Sequence, residues 1–433
     1  MRSPLVLLLL ALAPLAPARA QPPEDPAANA SIPPPIDRRT LVARAIAASP
    51  ASAVSEAEVR RARQRERLER SFEAPSLEVQ MWNAPLTRPW ALGQAEMYMV
   101  EVREDLPAPG VRGARASAAA HEGRAARAER SEGEREAAAR ASVLHAAWVA
   151  TLEEAALIAR TESLVARLRE VALARYGTRA ASMVDVARLD AELEAIRRRA
   201  RLVREERSVV EAAIAALLGL PGGTPIGEPT LEAPSTVRVD VGATAEPLAS
   251  RGELASRREQ IAAADDRARA LGYEARRPRF GVSLSYWQEP TMRPGYGAAV
   301  MMSLPWLSAR NRAMADEARE ERAVLEAELR ALEREATLEA SEAERRVRAL
   351  TVALATLEES ELPALERAAE AATTGYATGG LDLPGWLEIH RSTLEARAEA
   401  VALRRELETA IAALERVLGT ELPRVALAAE ESP

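Results

Sequence analysis

The apolar positions of this chain change period in a fixed order, and the order occurs twice. Over residues 40–72, Leu41, Ala45, Ile46, Val54 and Val59 fall among Arg and Glu in a helical pattern, with a kink expected at Ser49-Pro50. Thr40 is read as the N-cap of this helix. Residues 76–83 then alternate apolar and polar with period two, and 96–105 return as a second strand after a Pro/Arg/Gly-containing loop at 84–94. Residues 113–175 are Ala, Arg and Glu with few breakers, a predicted helix of roughly 63 residues and ~95 Å. A turn at Arg175-Tyr176-Gly177-Thr178 leads into a helix over 182–218, stopped by Gly219 and Pro221. The second half repeats the plan. A helix is expected over 248–273, strands over 278–286 and 295–303, a helix of about 66 residues over 309–374 and a last helix to Leu418.

The interval from Tyr176 to Gly219 equals the interval from Tyr376 to Gly419, which marks an internal duplication. The expected organisation is a signal peptide over 1–20, a disordered tether over 21–37 and a first repeat over 38–219. A connector follows over 220–247, with a short β-like run at 236–241, then a second repeat over 248–423 and a loose tail over 424–433. In each repeat two shorter helices sum to nearly the length of the long one, so a pair stacked end to end would cover it.

Composition narrows the setting. Aromatics make up 3% of the chain and charged residues 28%, a mixture suited to long helices rather than to a thick globular core. The net charge of −7 argues against a nucleic-acid partner. Arg2, the apolar run at 5–12 and Ala18-Arg19-Ala20 read as a secretory signal peptide. The chain has no cysteine, which excludes a disulfide and an acylated cysteine after cleavage. No later segment is an uninterrupted apolar run of transmembrane length, so any insertion into a membrane is expected through β-strands.

Four strands in two hairpins cannot cross a bilayer alone, because their edges would face lipid unpaired. Closed membrane barrels begin at about eight strands, so the strands are expected to be shared among copies of the chain. The aromatics gather near the strands: Trp82, Trp90, Tyr98, Tyr286, Trp287, Tyr296 and Trp306 are candidate lipid-interface residues.

At this point the chain resembles the TolC family of outer-membrane efflux proteins. The resemblance runs over about 38–423 and is carried by Tyr176-Gly177 with Asp185, Leu217-Leu218-Gly219, Leu304-Pro305 and the matching turn at Tyr376. It implies a mainly α fold with a membrane β-barrel portion, built from duplicated helix–β-hairpin–long helix–helix units. The implied assembly is a homotrimer with a 12-stranded barrel and an α-helical periplasmic tunnel, working with a periplasmic adaptor and an inner-membrane pump. Asn83-Ala84-Pro85-Leu86, Met97-Tyr98-Met99-Val100 and the run from Asp105 to Arg112 are similar to the heavy-metal cation efflux branch. Gly110-Val111-Arg112 departs from that branch's Gly-Lys-Arg-like ending.

No catalytic, cofactor or metal constellation is expected. His121, His145 and His390 are the only histidines and lack close ligand spacing. The two turns are the candidate functional sites, at the far ends of the long helices: Tyr176, Gly177, Asp185, Tyr376, Gly379, Gly380 and Asp382. Family resemblance implies adaptor docking and pore narrowing there. Ser182 and Asp382 are candidate N-caps, and Asp185 and Asp382 also suit plain capping. Two other readings stay open: a type I protein secretion duct of the same fold, and a soluble periplasmic coiled-coil adaptor or scaffold.

Overall fold

The computed structural model describes residues 35–83, 95–179, 181–231, 235–237, 248, 251–289 and 292–426. The signal peptide, the loop 84–94 with Trp90, and nearly all of the tether lie outside them. In order come α1 (Arg38–Ala48), α2 (Pro50–Arg70), β1 (Ser76–Trp82), β2 (Met97–Leu106), α3 (Val111–Gly177) and α4 (Met183–Leu217). The short β3 (Ser235–Val237) precedes α5 (Gly252–Arg276), β4 (Phe280–Gln288), β5 (Gly295–Met302) and a 3-10 turn at Pro305–Leu307. Then follow α6 (Ala309–Thr356), a π-helical turn (Leu357–Glu361), α7 (Leu362–Thr378), α8 (Leu383–Leu418) and β6 (Arg424–Ala426).

α3 is the spine. Its 67 residues span ~100 Å, and it packs against α1, α2 and α4 as well as α5 and α8. The half nearer the strands is sealed by small side chains. Ala116, Ala118, Ala119, Gly123, Ala125 and Ala126 are buried there, and a Cβ on Gly123 would stand 3.2 Å from Ala62 Cβ of α2. The far half is sealed by larger ones: Val165, Leu168 and Ala172 join Val186, Leu189 and Leu193 of α4 and Trp386 of α8. One 18-residue stretch of α3 reaches a mean hydropathy of 1.2, enough by composition to cross a membrane. The buried positions of α3 nevertheless run from Val111 to Ala172, against neighbouring helices.

The four long strands form one antiparallel sheet in the order β1-β2-β4-β5. The register pairs Val79 with Val100, Val100 with Tyr286, and Tyr286 with Tyr296. Alternation therefore divides the sheet into two faces. One carries Leu77, Val79, Tyr98, Val100, Val102, Val282, Leu284, Tyr286, Tyr296 and Val300; the other carries Glu78, Gln80, Glu101, Arg103, Asp105, Ser283 and Ser285. Most of the apolar face is exposed.

Four features differ from the sequence expectation. The first helix is capped by Asp37, whose carboxylate accepts from Thr40 N at 2.8 Å, so Thr40 is the third helical residue and not the cap. The end of the tether is anchored: Ile36 is buried, donates its N–H to Glu228 O and accepts from Thr230 N. The helix expected over 309–374 is broken by the π turn at Leu357–Glu361 and runs on to Thr378. Pro363 accounts for the break, since it has no N–H for the preceding turn and its ring crowds the carbonyl four residues back. The tail is not loose at its start, because Arg424–Ala426 pairs with Ser235–Val237.

α5 enters against α3 through Gly252, where an added Cβ would lie 2.5 Å from Ser131 Oγ and 2.6 Å from Ala128 O. Gly252→Ala is expected to destabilise the chain by about 1–3 kcal/mol. Thermal unfolding in detergent measures this, and an unchanged midpoint would contradict the close approach.

Candidate functional site

Both helix turns are built from short-range capping. At the first, α3 ends on Gly177, and Arg179 takes a positive φ of 61°. Ser182 Oγ accepts from Asp185 N at 3.2 Å while the Asp185 carboxylate accepts from Ser182 N at 2.9 Å, a reciprocal capping box that starts α4. At the second, Gly379 takes φ 88°, which only glycine adopts without strain, and lets Gly380 N and Leu381 N reach Gly375 O. Asp382 then caps α8 by accepting from Gly385 N at 3.1 Å.

The two turns lie together. The Arg175 guanidinium, from the last turn of α3, donates to Tyr376 O and sits 5.2 Å from the centre of the Tyr376 ring. Asp185 is close enough to act on the Tyr376 phenol electrostatically. The duplicated tyrosines have opposite surroundings: Tyr176 is 48% exposed and Tyr376 3%. The Tyr376 hydroxyl makes no hydrogen bond, and its pKa is pushed up, first by burial and then by the Asp185 charge. Tyr176, Gly177, Asp185, Tyr376, Gly379, Gly380 and Asp382 thus all lie at one end of the helices.

Behind the turns lies an apolar cluster with a polar inclusion. Trp386 is buried, donates Nε1–H to Thr373 Oγ1 at 3.2 Å and stacks on His390 with ring centres 4.6 Å apart. His390 is 7% exposed, and its Nε2 has no hydrogen-bond partner. Burial depresses its pKa to about 4, partly opposed by Glu192 of α4. Glu192 is itself paired with Arg391. Sequence reasoning missed Arg175 and the His390–Trp386 stack. Arg175 adjoins the tyrosine turn, and the i, i+4 spacing of Trp386 and His390 was visible.

The other histidines hold helices together. His121 Nδ1 lies 2.6 Å from Glu259 Oε2 of α5, and its Nε2 lies 3.8 Å from Asp266, so the ring joins α3 to α5. His145 is buried with Nε2 3.4 Å from Ile36 O. Among the described residues no group of three or more His, Asp or Glu is placed to hold a metal ion.

The strand aromatics separate by face. Tyr98, Tyr286 and Tyr296 lie on the apolar face near the hairpin turns, with Tyr296 83% exposed. Trp82 and Trp287 lie on the polar face, because they share parity with Gln80 and Ser285. These two therefore stand on the face opposite Tyr98, Tyr286 and Tyr296. Trp287 instead covers Gly295 and Gly297, where an added Cβ would come within 2.8 Å of the indole. Trp306 is exposed at the opposite edge of the sheet, just past β5.

This arrangement of sheet and helices is found in solved outer-membrane channels. The structure of CusC matches with a TM-score of 0.77 at 15% identity, over 88% of this chain and 92% of that one. The outer membrane protein VceC of Vibrio cholerae matches with 0.73 at 17% identity, over 88% and 96%. The open state of the MtrE channel of Neisseria gonorrhoeae matches with 0.71 at 18% identity, over 89% of each chain. The chain has the TolC-like fold. No protein-family model and no curated protein matches the sequence. At such identities the likeness rests on geometry, and the TolC-like fold here is kept by alternation, helix length and turn chemistry.

Because the folded-state pKa of His390 lies below the ordinary value, the unfolded chain binds the extra proton first as pH falls. The neutral ring's contribution to stability is complete above about pH 6.5 and is lost progressively towards the folded value of about 4. His390→Gln is expected to flatten the loss of thermal stability between pH 6.5 and 4.5, read by unfolding scans at fixed ionic strength. A second outcome concerns the unpaired phenol. Tyr376→Phe removes a buried hydroxyl without a partner, so stability is expected to hold or to rise by about 1 kcal/mol.

Proposed function

We propose that the chain is the exit duct of a tripartite efflux system, set in the outer membrane and reaching into the periplasm. One observation carries the reading. A four-stranded sheet with one exposed apolar face continues directly into helices about 100 Å long. The sheet has two unpaired edges, β1 and β5, which run in opposite directions. β5 of one copy therefore suits antiparallel pairing with β1 of the next, and a head-to-tail ring of copies closes the barrel. Three copies give twelve strands with the apolar faces outward to lipid and the faces of Glu78, Glu101, Arg103 and Asp105 lining the water-filled interior. The TolC-like fold supports three copies over other closed rings.

Conduction is passive in this reading. The duct offers a path, and the energy comes from an inner-membrane pump coupled through a periplasmic adaptor. The paired turns form the periplasmic mouth, with Tyr176, Gly177 and Asp185 presented for adaptor docking and Tyr376, Gly379, Gly380 and Asp382 near the narrow passage. The cargo is heavy-metal cations or small toxic molecules, with selection residing in the pump. The exposed apolar sheet supports the duct over a soluble adaptor, which would have to hide that face.

Membrane fractionation with native mass in detergent tests the duct. A trimer in the outer-membrane fraction is expected, and a soluble periplasmic species would overturn the barrel. A ring of three Asp382 carboxylates favours cations at the mouth. Asp382→Ala is accordingly expected to raise single-channel conductance or weaken cation preference in a planar bilayer. Unchanged conductance and selectivity would remove Asp382 from the gate and leave it as a helix cap.

A further inference from the structure

All four strand ends that join helices lie along one edge of the sheet: Leu106 pairs with Phe280, and Phe280 with Met302, while β1 begins at Ser76 opposite Arg103. The residues just beyond this edge differ from those at the hairpin edge, where Tyr98, Tyr286 and Tyr296 stand. Phe72 and Trp306 are exposed here, just before β1 and just after β5. Arg276 at the end of α5, Arg279 just before β4, and Arg310 and Arg312 at the start of α6 are exposed at the same level. Among the described residues, none of these four guanidinium groups is bonded to a carboxylate, although ion pairs are abundant along the helices below. Arg112 and Arg277 complete the collar in a fixed pose. Arg112 lies 3.5 Å above the Phe72 ring and donates to Arg70 O, and Arg277 lies 3.9 Å above the Tyr273 ring and donates to Pro109 O. Glu73, Glu104 and Asp105 are carboxylates at this level that no ion pair engages, with Asp105 on the polar face of the sheet, so the six arginines leave the collar an excess of positive charge.

We propose that this collar binds the anionic headgroups of glycerophospholipids in the leaflet next to the helices. The inference rests on the membrane reading above and adds the lipid class. A guanidinium presents paired donors that match two phosphate oxygens, and its stem lies along apolar surface while the charge stays at the headgroup level. An exposed tryptophan beside it occupies the same interfacial depth. The strands supply the register: β4 from Phe280 to Gln288 spans ~27 Å along its length, about a tilted crossing, so the collar and the tyrosines mark the two interfaces. The unpaired arginines are then completed by lipid phosphate.

The test uses the full chain in vesicles and the quenching of Trp306 by brominated lipids, taken as the difference between the wild type and Trp306→Phe. In mixed vesicles the association of brominated phosphatidylglycerol is expected to exceed that of brominated phosphatidylcholine by at least roughly three-fold at 0.1 M salt. The ratio should fall towards one in 1 M salt. It should also fall in the combined variant Arg276→Gln, Arg279→Gln, Arg310→Gln and Arg312→Gln, whose quenching by phosphatidylcholine stays as in the wild type. Inorganic phosphate at matched ionic strength should displace phosphatidylglycerol no better than chloride; better displacement would overturn the lipid in favour of a small free anion. Equal affinity for the two lipids in the wild type would overturn the collar and leave the duct standing. Quenching by neither lipid would overturn both.

Discussion

A helix of 67 residues has to be covered along its whole length, and the contact of α3 with its neighbours is the constraint from which the rest follows. Alanine and glycine set the spacing in the half near the sheet. Gly123 against Ala62 and Gly252 against Ser131 leave room for backbone but for no larger side chain. Close seams of this kind bury little area per residue and gain instead from continuous contact and from interhelical bonds such as Ser55 Oγ to Ala126 O. Towards the turns, Leu, Val and Trp take over and the helices are held by larger side chains. The small-residue seam suits the end where the helices must feed four strands in register.

Those strands need what a single copy lacks. One face of the sheet is mostly apolar and the other carries most of the charged and polar side chains, yet neither edge is satisfied among the described residues. Backbone groups on β1 and β5 can be left in water but not in lipid. In the proposed duct, burying the apolar face in a bilayer requires closing the edges, so that insertion and assembly become one event. In that reading the exposure of Val79, Leu284, Tyr296 and Val300 in one copy is what insertion would cover.

Much of this was legible in the sequence because local patterns decided it. Period-two alternation placed the strands within a residue or two, and the Leu-Gly stops placed the ends of α4 and α8. The failures have equally local causes. Asp37 and Thr40 are both good caps, and the choice between them depends on a bond three residues long. Pro363 was in view, and its missing N–H should have broken the helix expected over 309–374. The pairing of β6 with β3 had no local signal, since its partner lies far away in sequence. The same holds for the turns: identical tyrosines look equivalent until Arg175 is found holding one of them.

That last point concerns how the two halves have diverged. The first repeat keeps one unbroken spine, α3, with its tyrosine outward. The second repeat divides the corresponding helix at a π turn and turns its tyrosine inward. Arg404 of α8 spans the division, donating to Glu358 in the π turn at 2.7 Å and to Glu153 of α3 at 3.3 Å. Beyond the π turn, Tyr376 and His390 each bury a polar atom without a partner. Such atoms cost stability where they stand and are relieved by rearrangement. The sequence differences between the repeats thus place a helix irregularity ahead of α7 and two buried polar atoms without partners in α7 and α8, close behind the turn, while α3 and α4 run without a break. In a duct built from both, the second repeat is the half whose packing has an alternative to gain.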